Sequence, residues 1–149
     1  YLPTDETAIP YGAPAAVAGT PMDFSTPHLI GERIDTDTDQ LRWARGYDHT
    51  YILDKELGKL AIASRCSSPK TGIVMEVYTD QPGVQLYTGN WMSGNLRGKH
   101  DHRYPARAAL CLETQHYPDS PNKPEYPSTR LNPGETFCST TIFRFTLEA

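Results

Sequence analysis

The residues of this chain best placed to do chemistry lie in Leu110-Cys111-Leu112-Glu113-Thr114-Gln115-His116-Tyr117-Pro118. The run alternates like a strand as far as Gln115 and then breaks into a loop marked by Pro118 and Pro121. An ionisable Glu113 thus sits in an otherwise apolar strand, near where strand gives way to loop. β scaffolds present their working side chains at such ends. Alternation puts Ala109, Cys111, Glu113 and Gln115 on one side and Leu110, Leu112 and Thr114 on the other. The leucine side reads as core, so the Glu113 side faces a cleft or water. Glu113 and Gln115 stand ~7 Å apart along that face, from two strand rises. A carboxylate beside an amide suits a polyhydroxylated ligand, because both accept from hydroxyls and the amide also donates. A solvated strand glutamate has the same pattern, so a catalytic base and a bland surface residue both fit.

Two further polar side chains stand in strand-like runs. In Gly46-Tyr47-Asp48-His49, Asp48 shares a face with Thr50 and Ile52, while Tyr47, His49 and Tyr51 share the other. An aspartate at a strand mouth can grip two sugar hydroxyls at once, or it can be a turn residue accepting backbone N–H groups. His49, between two tyrosines, reads as a packed, hydrogen-bonded imidazole. Gln85 alternates with Val84 and Leu86, and a buried amide there must be satisfied by a neighbour or by a ligand. Tyr87, Trp91 and Tyr117 are available to stack on a sugar ring, or to join the core. Neither Gly-x-Ser-x-Gly nor a phosphate-cradling glycine loop is present. Acid–base chemistry by a carboxylate, or binding alone, remains.

The bulk properties narrow the class. The 149 residues suffice for one domain with a core, and the formal net charge is −4. Arg42, Arg45, Arg103 and Arg107 are scattered, with no basic stripe for nucleic acid. No apolar run approaches the ~20 residues that span a bilayer as a helix. Cys66, Cys111 and Cys138 are odd in number and widely spaced, which argues against both a zinc site and a disulfide framework. His100-Asp101-His102 lies among Lys99 and Arg103 and reads as a loop rather than a metal site. Asp35, Asp37 and Asp39 lack the EF-hand glycine and terminal glutamate. No metal is expected. The chain opens Tyr1-Leu2-Pro3, without a methionine, as if cut from something longer.

These side chains need strands to position them, and the punctuation supplies strands. Thirteen prolines and eleven glycines exclude long helices. Residues 1–31 form a wandering proline-rich segment. Residues 32–46 are polar, with one helical turn over Gln40–Arg45. Strands follow over Tyr47–Leu53, Lys59–Cys66, Ile73–Thr79, Val84–Thr88, Ala106–Gln115 and Thr136–Leu147. Long loops fill 89–105 and 117–134. In the last strand Phe137, Ser139, Thr141, Phe143, Phe145 and Leu147 share a face. Many strands and almost no helix predict an all-β fold, an antiparallel sandwich.

The order of short motifs then carries a resemblance. Gly19-Thr20-Pro21-Met22-Asp23-Phe24, Gly46-Tyr47-Asp48-His49, Pro69-Lys70-Thr71-Gly72, Pro82-Gly83-Val84-Gln85-Leu86-Tyr87-Thr88-Gly89-Asn90, Cys111-Leu112-Glu113-Thr114-Gln115, Pro127-Ser128 and Pro133-Gly134-Glu135 follow one another. Together they resemble the aldose 1-epimerase (galactose mutarotase) family over nearly the whole chain. The resemblance implies part of a large antiparallel β-sandwich, the galactose mutarotase-like supersandwich. It implies that residues 1–149 are the C-terminal portion of a single domain whose N-terminal portion is absent from this chain. It implies interconversion of the α and β anomers of aldoses such as galactose and glucose, with no organic cofactor. Residue by residue, Glu113 matches the general base, and Asp48 and Gln85 match groups that hold the sugar. The family's acid histidine belongs to an Asn-His motif in the N-terminal half, and no histidine here matches it. Pro10-Tyr11-Gly12-Ala13 departs from the family's Pro-Thr-Gly-Glu, at an entry loop rather than at the site. A sugar-binding sandwich module without chemistry is the alternative expectation.

Overall fold

The elements of the computed structural model, which describes residues 1–148, are eight short strands and one six-residue helix, with three single 3-10 turns. In chain order they are α1 (Asp39–Ala44), β1 (Asp48–Ile52), β2 (Ala61–Ser67), β3 (Ile73–Thr79), β4 (Gly83–Tyr87), β5 (Ser93–Arg97), β6 (Arg103–Pro105), β7 (Cys111–Gln115) and β8 (Thr141–Leu147). The fold is all-β, as the spacing of turns predicts. Two compact units share the chain: Tyr1–Tyr51 with Gln85–Glu113, and Ile52–Val84 with the segment from Thr114 on. The chain passes from one to the other within β1, β4 and β7.

The first unit is built around α1 and the sheet β1-β4-β7. Thr38 caps α1, its hydroxyl accepting from the Leu41 N–H. Arg45 ends it in the left-handed region at φ 58°. The helix presents Leu41 and Ala44 inward. Leu41 joins Met22, Ile34, Tyr47 and Leu86 in the core, and Leu112 packs against them. The leucine side of β7 is therefore the core side, as alternation required. The proline-rich opening segment is tied down at its start, against β1 and α1. The Leu2 N–H donates to the Thr50 carbonyl (2.9 Å), and the Gln40 amide exchanges two bonds with the Thr4 backbone (2.9 and 2.7 Å).

The second unit holds the antiparallel sheet β2-β3-β8. Val77 lies opposite Phe143, Met75 opposite Phe145 and Ile73 opposite Leu147, so one face of β3-β8 is apolar. On the other face Glu76 lies opposite Arg144, with the guanidinium 3.4 Å from the carboxylate. Val77 is fully buried, yet Phe145 is 63% and Leu147 76% exposed. The alternation expected for the last strand is present, but its apolar side is uncovered.

Three boundaries differ from the sequence expectation. Residues 89–105 are not one loop, because β5 and β6 pair there as a short antiparallel ladder. The strand expected from Ala106 begins only at Cys111. Arg107 takes φ 63°, its N–H donates to the Gly89 carbonyl, and the Ala108 N–H donates back to Pro105. That is turn geometry, which an Ala-Arg-Ala-Ala run does nothing to announce. The last strand starts at Thr141 rather than Thr136, because Asp80 takes over the preceding segment. Its carboxylate accepts from the Thr140 N–H (2.7 Å) and the Ser139 hydroxyl (3.2 Å).

Candidate active site

Asp48 and Gln85, far apart in sequence, meet in the first unit. β4 is the central strand of β1-β4-β7, so its side chains neighbour those of both β1 and β7. The Gln85 Nε2 donates to Asp48 Oδ1 at 2.7 Å. Its Oε1 accepts from the Thr50 hydroxyl. Both ends of the amide are thereby satisfied by neighbours, which answers the question the sequence left open. Asp48 is half-buried on a strand, not a turn residue, and it accepts from an amide side chain rather than from backbone N–H groups. Its Oδ2 makes no hydrogen bond among the described residues.

The backbone that carries Asp48 is held from behind. His49 is completely buried, and its Nδ1 accepts from the Asp48 N–H at 3.1 Å. That bond requires the neutral tautomer with the proton on Nε2. Burial, aided by the nearby Tyr1 ammonium, pulls the His49 pKa down from 6.5 to about 4. His49 is the packed imidazole that its place between two tyrosines indicated. One residue earlier, the Tyr47 N–H donates to Thr88 Oγ1 (3.1 Å), whose hydroxyl donates to Asn90 Oδ1 (2.6 Å). The Asn90 Nδ2 donates to the carbonyls of Ala44 and Tyr47, both at 2.9 Å. This buried network ties the end of α1 to the start of β1. Gly46 between them sits at φ 142°, where a Cβ would lie 2.5 Å from Asn90 Oδ1. Only glycine fits there.

Glu113 stands on β7, the strand beside β4, and it is exposed. Its carboxylate is open to solvent in this chain. It makes no hydrogen bond to Asp48 or Gln85 among the described residues. Gln115 belongs to the second unit, where it lines a cavity of about 470 Å³ with Gln81, His116, Arg130 and Phe137. None of Asp48, Gln85 and Glu113 lines that cavity. Of the aromatic candidates, Trp91 is exposed with the Arg45 guanidinium 4.5 Å over its ring. The Tyr87 hydroxyl accepts from the Trp91 N–H (3.2 Å). Tyr117 packs edge-on against Tyr126.

Sequence reasoning put Thr50 on the Asp48 face and went no further with it, and it passed over Thr88 and Asn90. The signal for Thr50 was its i+2 spacing from Asp48. Thr88 and Asn90 act through backbone groups of Ala44 and Tyr47, and pairing across that separation leaves no local signature.

A carboxylate with one oxygen fixed and one open, next to an amide with a second N–H to give, can bind vicinal hydroxyls. An exposed carboxylate on the neighbouring strand can accept a proton.

Comparison with known proteins gives a consistent outcome. The family model for aldose 1-epimerase matches residues 1–144. Galactose mutarotase from Mus musculus is 44% identical over 147 residues, covering 99% of this chain and 41% of that protein. Aldose 1-epimerase from Escherichia coli (strain K12) is 37% identical over 151 residues, covering 99% of this chain and 43% of that protein. Among solved structures, an aldose epimerase homologue from C. elegans superposes with a TM-score of 0.77 at 25% identity, covering 98% of this chain and 42% of that one. The chain thus spans about two fifths of the length of these relatives.

Proposed function

Because the chain belongs to the aldose 1-epimerase family, we propose that it forms the C-terminal part of an isomerase that interconverts the α and β anomers of free aldoses such as galactose and glucose. Asp48 and Gln85 hold the sugar hydroxyls, and Glu113 is the general base. The observation that carries this reading is the hydrogen-bonded pair of Asp48 and Gln85, offered from two adjacent strands beside the strand that bears Glu113.

The chemistry asks for these groups. Glu113 removes the proton from O1 as an acid protonates the ring oxygen. The C1–O5 bond breaks and C1=O1 forms. Rotation about C1–C2 turns the other face of the aldehyde toward O5. Reclosure returns the proton from Glu113 to O1 and the ring proton to the acid. A positioned acid and base each contribute ~10²–10⁴-fold. His49 is not that acid, since it is buried, faces away from Asp48 and stays neutral down to a low pH. The acid is a histidine of the N-terminal part of the protein, on the same polypeptide or on a separate chain. The apolar face of β8 supports such a partner, since Phe143, Phe145 and Leu147 gain from being covered.

Polarimetry on freshly dissolved α-galactose, with the N-terminal part present, tests the proposal. Conversion is expected, and a rate for Glu113→Gln near that of the unaltered protein would refute the role given to Glu113. The second reading, a sugar-binding module without chemistry, draws on the exposure of Glu113. Galactose binding by calorimetry without anomer conversion would favour it.

A further inference from the structure

We propose that Thr50 is a positioning residue of the sugar site, setting which end of the Gln85 amide faces Asp48. This rests on the reading of Asp48 and Gln85 as the sugar-holding pair. An ionised carboxylate can only accept, so it must face the Gln85 NH₂ end. The Oε1 end then points at Thr50, whose hydroxyl donates to it. With the amide pinned at both ends, Asp48 keeps Oδ2 open and Gln85 keeps one N–H open. The site is therefore one acceptor and one donor side by side, matched to a hydroxyl that accepts from one group and donates to the other.

Thr50 itself has no freedom to drift. It is 2% exposed, and its carbonyl accepts from the Leu2 N–H at 2.9 Å. Its hydroxyl is consequently a fixed donor in a dry place. Without it, Oε1 loses its protein partner, and a half-buried acceptor that loses its fixed donor is costly. The amide then turns in search of a donor. A turned amide sets its oxygen against the Asp48 carboxylate and replaces the donor of the site by a second acceptor. Thr50 touches no sugar atom in this scheme and does not contact Glu113, so its loss weakens binding rather than the proton transfers.

The test uses the full-length protein, with galactose as probe. Thr50→Val keeps the shape and removes the hydroxyl. Its KM for galactose should rise about tenfold with kcat within about twofold, the scale set by one lost hydrogen bond. Thr50→Ser keeps the donor and should restore KM to within about twofold of the unaltered protein. The deciding measurement is the double substitution. In a Gln85→Ala background Thr50→Val should have no further effect on KM, because there is no amide left to orient. A tenfold loss that persists in that background would mean a merely structural role and would overturn the inference, as would an unchanged KM for Thr50→Val alone. If Thr50→Val does not fold, Thr50→Ala enters the same cycle with the same expectations. Should the unaltered protein neither convert anomers nor bind galactose, the functional reading itself fails and this inference with it. Retained activity with an additive cycle fails the inference alone.

Discussion

Acid should destabilise this protein through His49, and the size of the effect follows from its burial. Folded, His49 has a pKa near 4, against 6.5 when solvated. Below about pH 6.5 the unfolded chain takes up a proton at this ring and the folded one does not. Stability is therefore complete above that pH, falls as pH drops through it, and levels off only below about pH 4, where the folded form also protonates. Two and a half units at ~1.4 kcal/mol each come to ~3.5 kcal/mol, of which ~3 kcal/mol is lost by about pH 4, a sizeable share of the ~5–15 kcal/mol of a typical domain. Other groups also titrate in this range, so the measurement is a difference. Urea unfolding is followed from about pH 7.5 to 4 for the protein and for His49→Phe, which fills the space and cannot protonate. The gap between the two curves should close or reverse by ~3 kcal/mol toward the acid end. The ring also has a direct readout, since its carbon-bound proton should titrate near 4 by NMR. A flat difference curve, or an imidazole titrating near 6.5, would refute the claim that burial keeps His49 neutral.

Other expectations follow from the same structure. Glu113→Gln should lower kcat by ~10²–10⁴-fold in the full-length protein, read by polarimetry, with the melting temperature unchanged because Glu113 is exposed. Gly46→Ala should cost at least ~2 kcal/mol in urea unfolding, since its Cβ would clash with Asn90 Oδ1. A loss below ~0.5 kcal/mol would mean that the Asn90 network does not lock α1 to β1. Phe145→Ser should change the stability of this chain by less than ~0.5 kcal/mol, the ring being 63% exposed. It should cost ~3 kcal/mol in the full-length protein if the apolar face is covered there, and equal small effects in both would count against an N-terminal partner on that face.

How much of this was legible in the residues depends on the range of the interaction concerned. Local chemistry read well. The turn signals and alternation located β3 to the residue, α1 to within one, and the core side of β7. They also paired Met75 with Val77 and Phe143 with Phe145 on common faces. Where a backbone turn is held by a distant partner, the same reasoning overran. Asp80 claims Ser139 and Thr140, and Gly89 claims Arg107, so two strands start later than their alternation allowed.

The candidate site divides along the same line. Asp48, Gln85 and Glu113 were each legible as candidates, Asp48 as an acid opening a strand and the other two as polar side chains alternating with apolar neighbours in mid-strand. Motif order added the family, since spacing between short motifs survives where any single one would mean little. That Asp48 and Gln85 touch, that Thr50 orients the amide, and that Thr88 and Asn90 brace the backbone beneath were decided by the pairing of β1 with β4. Strand pairing joins residues some forty positions apart through main-chain bonds that form almost regardless of side-chain type, so the sequence specifies which residues are available while only the sheet order determines which of them meet.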